Sequence, residues 1–269
     1  MVNALVSVVI ITHDRSMYYL DRALRSVINQ TVQPKEIIIV DGGADEHRSM
    51  TADYLKKENL VGKVELIGLN DLSAPEARNY GASRCTGDYL AFLDDDEWYV
   101  DRLERQLSVT GNHPAIINSP YDEEIGGDTV VFNFGKGEYP GILASNIIGG
   151  TSFSLIKRDV FETIGGFDTS FESNQEWDLF IRILKEYDAK YCDTLVGKKY
   201  TNIGISSDTN KRLSGWKSMF IEYKKDYRQH PLEYKCAAGT FCQEMMDRKC
   251  IKGFIIALFH KMCAYFYSL

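Results

Sequence analysis

Short apolar runs alternate with longer amphipathic segments through the first 110 residues of the chain. The runs are rich in Val and Ile and are bounded by charged or turn residues, a pattern typical of buried strands in a parallel sheet. The segments between them carry apolar residues at helical spacing. The predicted strands are Leu5–Ile11, Glu36–Val40, Val64–Leu69 and Tyr89–Leu93, and the predicted helices are Tyr18–Gln30 and Ala74–Arg84. This alternation predicts an α/β fold with a mostly parallel sheet flanked by helices.

The pattern changes after about residue 110, where strand signals become shorter and glycine-rich turns separate them. Glu176–Tyr187 is an amphipathic helix that follows the tight turn Gly165–Asp168, and Val196–Leu213 is polar and partly basic, which predicts a loop. Several helical segments close the chain. The remaining predicted elements are strands at Ala115–Asn118 and Thr129–Phe134 and a short helix at Val160–Ile164.

An apolar helical stripe begins at Cys250. Three arrangements are open for it: packing on its own domain, self-association, or docking to a membrane surface. Lys252, His260 and Lys261 interrupt the segment, so a transmembrane span is disfavoured. Of the two intermolecular arrangements we favour self-association, because only two lysines in the stripe attract anionic lipid. The stripe consists of Phe254, Ile255, Leu258, Phe259, Met262, Tyr265, Phe266 and Leu269.

Composition narrows the class of protein. The chain has 269 residues, of which 44% are hydrophobic and 26% charged, and these are ordinary values for a globular protein. Its net charge of −7 argues against nucleic acid as a partner. The six cysteines form no CxxC pair and no zinc-ligand cluster, and the N-terminus lacks the features of a signal peptide. We therefore expect a cytoplasmic protein.

The triplet Asp94, Asp95 and Asp96 is the strongest chemical signal, because it directly follows the apolar strand Tyr89–Leu93. Its carboxylates would emerge at the carboxyl edge of the sheet, where open α/β folds bind ligands. Adjacent carboxylates repel one another unless a cation lies among them, and their oxygens suit Mg²⁺ or Mn²⁺. Taken alone, the triplet fits a metal site and a solvated acidic turn equally well.

Four further charged residues are candidates, each with a plain structural alternative. Asp14 follows the first strand, and residue type favours helix capping there. Asp41 follows the second strand beside two glycines that let a ligand approach the backbone, which favours ligand contact. Arg78 is either a surface arginine or a planar fork for a base or phosphate. Glu176 at a helix start is a cap or a general base, and the cap is favoured because caps are the more frequent role of acids at helix starts.

Several short segments, in this order and spacing, resemble the family 2 glycosyltransferases with the GT-A fold. The resemblance covers roughly residues 5–190. It implies a Rossmann-like GT-A domain over residues 1–215, with a nucleotide-sugar-binding half (1–110), an acceptor-binding half (111–215) and a C-terminal helical extension (216–269). The matching segments are Val6–Thr12, Glu36–Asp45, Ala77–Ala82, Gly87–Trp98, Gly165–Asp168 and Glu176–Leu179.

The resemblance also implies an inverting transfer of a sugar from a nucleotide-diphosphate donor, with a UDP-sugar favoured, to a glycan, lipid-linked or protein-linked acceptor. A Mn²⁺ or Mg²⁺ ion would bind at Asp96, and Glu176 would be the catalytic base. The donor would contact Thr12, Asp14, Asp41, Arg78, Asp94 and Asp95. A membrane-linked acceptor would place the protein at the inner face of the membrane.

Three departures from the family pattern bear on these roles. His13 replaces a common tyrosine, Gly42 replaces a second acid after Asp41, and Gln175-Glu176 stands where many members have Glu-Asp. A basic loop with Lys198, Lys199, Lys211 and Arg212 either closes on the diphosphate or is an ordinary solvated loop.

Two rival functions are open. A sugar nucleotidyltransferase would require a glycine-rich loop with Arg and Lys after the first strand, and Thr12–Arg15 does not provide one. A non-catalytic module that binds sugar nucleotides or glycans would share the fold, but the presence of both Asp96 and Glu176 argues against it.

Overall fold

A seven-stranded sheet and a four-stranded sheet form the centre of the computed structural model, which describes residues 4–94, 96–125, 127–200 and 208–267. The strand order is β10-β6-β9-β4-β1-β2-β3 in the larger sheet and β5-β11-β7-β8 in the smaller. In chain order the strands are β1 (Val6–Thr12), β2 (Glu36–Asp41), β3 (Val64–Gly68), β4 (Tyr89–Leu93), β5 (Glu97–Trp98), β6 (Ile116–Asn118), β7 (Tyr121–Ile125), β8 (Asp128–Phe132), β9 (Ser154–Lys157), β10 (Ala189–Tyr191) and β11 (Gly197–Lys199).

The larger sheet is mostly parallel. β4, β1, β2 and β3 run parallel to one another, β9 is antiparallel to both β4 and β6, and β10 is parallel to β6. β1 lies between β2 and β4, so the winding of the chain changes direction between β1 and β4. In open α/β sheets such a switch point leaves a crevice at the carboxyl ends of the strands.

Helices cover the larger sheet on both faces and continue beyond it. Alternate β1 side chains divide between two hydrophobic clusters: Val9 belongs to one, and Val8 and Ile10 belong to the other. The helices are α1 (Met17–Ile28), α2 (Asp45–Lys57), α3 (Ala74–Arg84), α4 (Arg102–Leu107), α5 (Arg158–Thr163), α6 (Gln175–Leu184), α7 (Thr209–Glu222), α8 (Lys224–Gln229), α9 (Pro231–Asp247) and α10 (Ile251–Tyr267).

Every strand and helix predicted before residue 94 is confirmed, with shifts of one or two residues at the element ends. The sequence did not predict the helices α2 and α4 or the strands β5, β7, β9 and β10. The prediction of a loop over Val196–Leu213 is wrong at both ends, because Gly197–Lys199 pairs between β5 and β7 and Thr209 begins α7. Residues 201–207 lie outside the described ranges.

The C-terminal helices share one core with the sheet. Buried residues of α6, α7, α9 and α10 belong to the same hydrophobic cluster as Val9 and Phe92 of the parallel strands. The predicted boundary between residues 215 and 216 falls inside α7. Within the described ranges, no helix combines the length and apolarity that crossing a membrane requires.

Candidate functional site

A cavity of about 680 Å³ opens at the carboxyl edge of the parallel strands. Thr12 at the end of β1 and Asp94 just beyond β4 both line it, so it lies at the switch point of the sheet. Lys211 of α7 and Gln175 of α6 complete its far side. The other lining residues are Ile11, His13, Arg15, Tyr19, Leu20, Gly42, Leu72, Ser73, Ala74, Ala77, Thr169, Phe171 and Glu172.

Asp41 shapes one wall of this cavity from inside the protein. Its side chain is fully buried, and it accepts hydrogen bonds from the Gly43 backbone N–H at 3.0 Å and the Thr51 hydroxyl at 2.9 Å. His47 Nδ1 lies 2.8 Å from the same carboxylate. These contacts fix the loop through which Gly42 lines the cavity. The predicted contact between Asp41 and a base would require this carboxylate to leave its internal partners.

Asp14 is not the N-cap of the helix that follows it, a position that Ser16 takes in α1. Its carboxylate accepts a hydrogen bond at 2.8 Å from the backbone N–H of Ala44, the residue that precedes α2. A Cβ at position 43 would lie 2.4 Å from Asp14 Oδ1, so the contact requires glycine there. Asp14 itself is in the left-handed region, with φ of 50°. The Asp-Gly-Gly sequence therefore allows the two loops at the ends of β1 and β2 to approach closely.

Arg78 connects the carboxyl edge of the parallel strands to the start of α6. Its guanidinium donates from Nη2 to both oxygens of Asp94 at 2.8 Å and from Nη1 to Gln175 Oε1 at 3.2 Å. Arg78 is buried, whereas the Asp94 side chain is 37% exposed and lines the cavity. Arg78 thus orients Asp94, and a contact between Arg78 and a nucleobase remains a prediction.

The aspartate triplet lies where the chain passes from the larger sheet to the smaller one. β4 ends at Leu93 and β5 begins at Glu97, so the acids occupy the junction. Asp96 is largely buried and accepts a hydrogen bond from the Tyr200 backbone N–H at 3.1 Å. Asp95 lies outside the described residues. Among the described residues, no three His, Cys, Asp or Glu side chains form a group that could hold a metal ion by themselves.

Glu176 occupies the first turn of α6 and is half-buried. The pKa of the buried Tyr121 hydroxyl is raised mainly by burial and further by the charges of Glu123, Asp96 and Glu176. The carboxylates of Asp96 and Glu176 therefore act on the same hydroxyl of β7, although 80 residues separate them in the chain. Tyr121 stacks on Phe153 with ring centroids 4.3 Å apart. The charges of Asp96, the predicted metal ligand, and Glu176, the predicted base, thus both contribute to the raised pKa of Tyr121.

Asp178, two residues after Glu176, is not available to a substrate. It is almost fully buried, accepts a hydrogen bond at 2.6 Å from Tyr223 and forms an ion pair at 2.7 Å with Arg182. Glu176 is the more accessible of the two acids in this helical turn. The structure therefore favours Glu176 over Asp178 as a proton acceptor.

A second arginine holds the start of α6 from the C-terminal side. Arg212 donates to the side-chain oxygen of Asn174, the residue before α6, at 2.6 Å, and to Glu244 of α9 at 2.7 and 2.9 Å. Glu244 also accepts hydrogen bonds from Trp216 and Arg248. Burial would raise the pKa of Glu244, but Arg212, Trp216 and Arg248 lower it to about 2.

The four basic residues predicted to form one loop have separate roles. Lys198 pairs with Glu124, Lys199 pairs with Glu123 at 3.2 Å, and Arg212 is held by Glu244. Of these four residues, Lys211 is the one that lines the cavity.

Sequence reasoning missed several residues of the site. Tyr121 and Asn174 had no distinguishing local signal, and Tyr19 was hidden among the residues of an amphipathic helix. Gln175 directly precedes the matched segment Glu176–Leu179 and was treated only as a departure from the family pattern. Its signal is the polar side chain at the buried start of α6, where Arg78 contacts it.

Comparison with known proteins agrees with this geometry. Residues 7–165 match the model of "Glycosyl transferase family 2". An "Uncharacterized glycosyltransferase" of Haemophilus influenzae is 30% identical over 171 residues, which are 61% of this chain and 56% of that protein. "Putative teichuronic acid biosynthesis glycosyltransferase TuaG" of Bacillus subtilis is 37% identical over 92 residues, which are 33% of this chain and 35% of that protein. The first relatives are thus matched over about half of their length or less.

Solved structures agree in fold. S. aureus TarS 1-349 in complex with UDP-GlcNAc superposes with a TM-score of 0.70 over 97% of this chain and 81% of that chain, at 15% identity. The longer S. aureus TarS structure gives a TM-score of 0.64 over 90% of this chain and 43% of that chain, also at 15% identity.

Proposed function

This chain belongs to glycosyl transferase family 2 and has the GT-A fold, and from that premise we propose that it is an inverting, metal-dependent glycosyltransferase. The donor is a nucleotide-diphosphate sugar, with a UDP-sugar favoured, and the acceptor is a hydroxyl of a glycan, free or linked to a lipid or protein. One observation carries the proposal. Asp94 and Gln175 line the cavity at the sheet's switch point, and each stands within two residues of one of the acids Asp96 and Glu176 in the chain.

The cavity has the size and chemistry for a nucleotide. A ligand site of 300–1,000 Å³ is typical for small molecules, and this cavity of about 680 Å³ is lined by apolar residues together with polar ones. The TarS structure with UDP-GlcNAc supports a UDP-sugar as donor, because its fold extends over almost the whole of this chain. Thr12 and Asp94 are the predicted donor contacts that line the cavity.

The residues present fit a divalent ion bound together with the donor. Mg²⁺ typically takes one or two carboxylates plus substrate phosphates, so it needs no cage of three protein ligands. Asp94 has both oxygens bonded to Arg78. Asp96, which the family resemblance places at the metal, is the residue that would hold the ion, and the ion would stabilise the negative charge developing on the leaving diphosphate.

Glu176 supplies the base. A carboxylate of this kind takes a proton from the acceptor hydroxyl as that oxygen forms its bond to the anomeric carbon, and the bond from the same carbon to the diphosphate breaks. The bond pair of the broken linkage leaves with the nucleoside diphosphate. A single displacement from the opposite face inverts the anomeric carbon. Lys211 in the cavity wall is placed to contact the departing phosphate.

A two-step assay tests this function. Sugar nucleotides are first screened with Mn²⁺ for thermal stabilisation, where a ligand at a hundred times its Kd adds about 2.7 kcal/mol to the free energy of unfolding. Release of nucleoside diphosphate is then measured from the stabilising donor, with and without a panel of glycan acceptors. We expect acceptor-dependent release and an inverted product. Donor binding without release under any acceptor would instead indicate a module that binds sugar nucleotides and does not transfer them.

A further inference from the structure

α10 presents its large apolar residues outward and its small ones inward. Gly253, Ala257 and Ala264 are buried against the rest of the molecule, which lets the helix backbone pack closely. The outward residues fall within about 120° of the helix circumference at 3.6 residues per turn. They are Ile251, Ile255, Leu258, Phe259, Met262, Tyr265 and Phe266, and all are at least 41% exposed. We call these seven residues the apolar face of α10.

Basic residues border this face. Lys252 and Lys261 are exposed and fall at its two edges on the helix circumference, and the helix contains no Asp or Glu. His260 adds no charge at neutral pH, because burial lowers its pKa to about 4. Lysines in this position extend their ammonium groups toward lipid head groups while their stems cover apolar surface.

A cavity of about 450 Å³ continues the surface toward α7 and α8. Phe259 and Tyr267 of α10 form one of its walls, and Lys217, Lys224 and Arg228 contribute the cations. No Asp or Glu of the described chain lines it. Its remaining residues are Phe220, Ile221, Tyr227, Tyr234, His260 and Cys263. An apolar cavity with cations among its lining residues matches an amphiphile that has an anionic head.

The net charge of the C-terminal segment, residues 209–269, agrees with the basic residues found around α10. Residues 209–269 contain eleven Lys and Arg against five Asp and Glu, a net charge of +6, whereas residues 1–208 contain twenty against thirty-three, a net charge of −13. Such asymmetry between parts of one chain is typical of a segment that meets an anionic surface. The net charge of −7 for the whole chain does not reveal this asymmetry.

We propose that the apolar face of α10, with its lysines and the adjacent cavity, docks the protein on an anionic phospholipid bilayer. α10 would lie in the plane of the interface with its apolar face among the acyl chains and its cations at the head groups. An anionic bilayer at this surface explains both the exposed apolar residues and the concentration of positive charge beside them.

A second copy of the chain fits the same surface less well. A two-fold interface brings the same patch from both copies together, so the cations would face one another. A helix of 17 residues is about 25 Å long and about 10 Å wide, so one exposed face of it falls short of the roughly 800 Å² per partner of a stable interface. The structure therefore changes the preference for self-association that the sequence alone suggested.

Liposome sedimentation of the full chain tests the proposal without any enzymatic readout. Vesicles of pure phosphatidylcholine are compared with an equal mixture of phosphatidylcholine and phosphatidylglycerol, at low and high salt. We expect binding to the anionic vesicles that weakens with salt, and much weaker binding to the neutral ones. Equal binding to both vesicles, or no binding to either, would overturn the proposal.

Two double variants separate the apolar and the electrostatic contributions. Phe259→Ser/Phe266→Ser should weaken vesicle binding by ~100-fold or more. Lys224→Gln/Lys252→Gln should weaken it by ~25-fold, since each cation near an anionic surface contributes about fivefold. The matched controls are Met50→Ser/Val61→Ser, which changes exposed apolar residues elsewhere, and Lys56→Gln/Lys57→Gln on α2. Both controls should bind as the wild type does.

Light scattering and circular dichroism complete the test. All variants should keep the wild-type Tm and helix content, because the changed side chains are exposed. A protein that is dimeric in solution, becomes monomeric in Phe259→Ser/Phe266→Ser and does not sediment with anionic vesicles would assign this face to self-association. Loss of vesicle binding in the control variants to the same degree would also contradict the proposal.

Discussion

Two arginines hold the first turn of α6 from different parts of the molecule, and they do so in different surroundings. Arg78 comes from α3 and joins Gln175 to Asp94, whose side chain is 37% exposed in the cavity. Arg212 comes from α7 and joins Asn174 to Glu244, whose side chain is 19% exposed. The first contact can respond to a ligand in the cavity, whereas the second fixes the helix to the C-terminal core.

The two arginine contacts therefore have different roles at the site. Glu176 lies next to the residues that both arginines hold, so its position depends on the sheet and on the C-terminal helices together. Asp94, which lines the cavity, stays partly exposed, whereas Asn174 and Glu244 are enclosed by packing. We expect changes on the Arg78 side to affect donor binding and changes on the Arg212 side to affect folding stability first.

The largest effect is expected from Glu176→Gln, which removes the proposed base next to the two residues that the arginines contact. The amide keeps the shape of the side chain but takes no proton, so turnover should fall by ~10²–10⁴-fold while donor affinity stays unchanged. Steady-state transfer kinetics and calorimetry with the donor measure the two quantities. Glu186→Gln, beyond the other end of α6, is the matched control and should keep wild-type turnover. Wild-type turnover in Glu176→Gln would show that another group is the base.

Asp96→Asn tests the junction between the two sheets. The amide can still accept the hydrogen bond from Tyr200 but carries no charge for a cation, so metal-dependent donor affinity should fall by ~10–100-fold. Calorimetry with the donor, with and without Mn²⁺, measures this, and an unchanged Tm shows that the fold is retained. Donor affinity that depends on Mn²⁺ as strongly as in the wild type would remove Asp96 from the metal site.

Arg78→Met and Arg212→Met compare the two contacts directly. Arg212→Met leaves the Glu244 carboxylate in a largely buried position and should lower the free energy of unfolding by about 2 kcal/mol. Arg78→Met frees a carboxylate that is already partly solvated, so it should cost about 1 kcal/mol or less but weaken donor binding. Urea unfolding measures the stability of both variants, and donor titration measures their affinity. A larger loss of stability in Arg78→Met than in Arg212→Met would contradict the different roles of the two contacts.

The smallest effect is a pH dependence of the C-terminal core. Burial lowers the folded pKa of His260 to about 4, below its ordinary 6.5, so its contribution to stability is complete above pH 6.5 and is lost as pH falls toward 4. Because the ring is only half-buried, we expect a loss of the order of 1 kcal/mol. Glu244, with a folded pKa of about 2, adds a further loss between pH 4.5 and 2. Unfolding of His260→Gln should depend less on pH between 6.5 and 4, and an unchanged slope would contradict this assignment.

The fold was predictable where apolar periodicity is strong and failed where polar residues are buried. α2 escaped prediction because the side chains it buries are His47, Thr51 and Leu55, two of them polar. β7 escaped because its buried positions include Asp122 and Glu123, which accept hydrogen bonds from Tyr99 and Lys199 of other elements. In both cases a tertiary partner offsets the cost of burying a polar group, and no local pattern records that partner.

Asp14 and Asp41 show the same limit at the candidate site. Both follow parallel strands beside glycines, and residue type suggested a cap for one and a ligand contact for the other. Ser16 caps α1 in place of Asp14, which accepts a hydrogen bond from the backbone of Ala44 instead, and Asp41 is enclosed by His47 and Thr51. The helix that encloses Asp41 is α2, the one that the sequence did not predict.

The sequence by itself determined the alternation of strands and helices, the position of the acids after β4 and the helix that carries Glu176, because these depend on local apolar periodicity and residue order. Tertiary structure decided which carboxylate is enclosed, which lines the cavity and which cation each one meets. Arg78 and Gln175 are 97 residues apart and Arg212 and Glu244 are 32 apart. Exposure and charge partners arise only when distant elements pack together, so residue type fixes the chemistry available and packing determines how it is used.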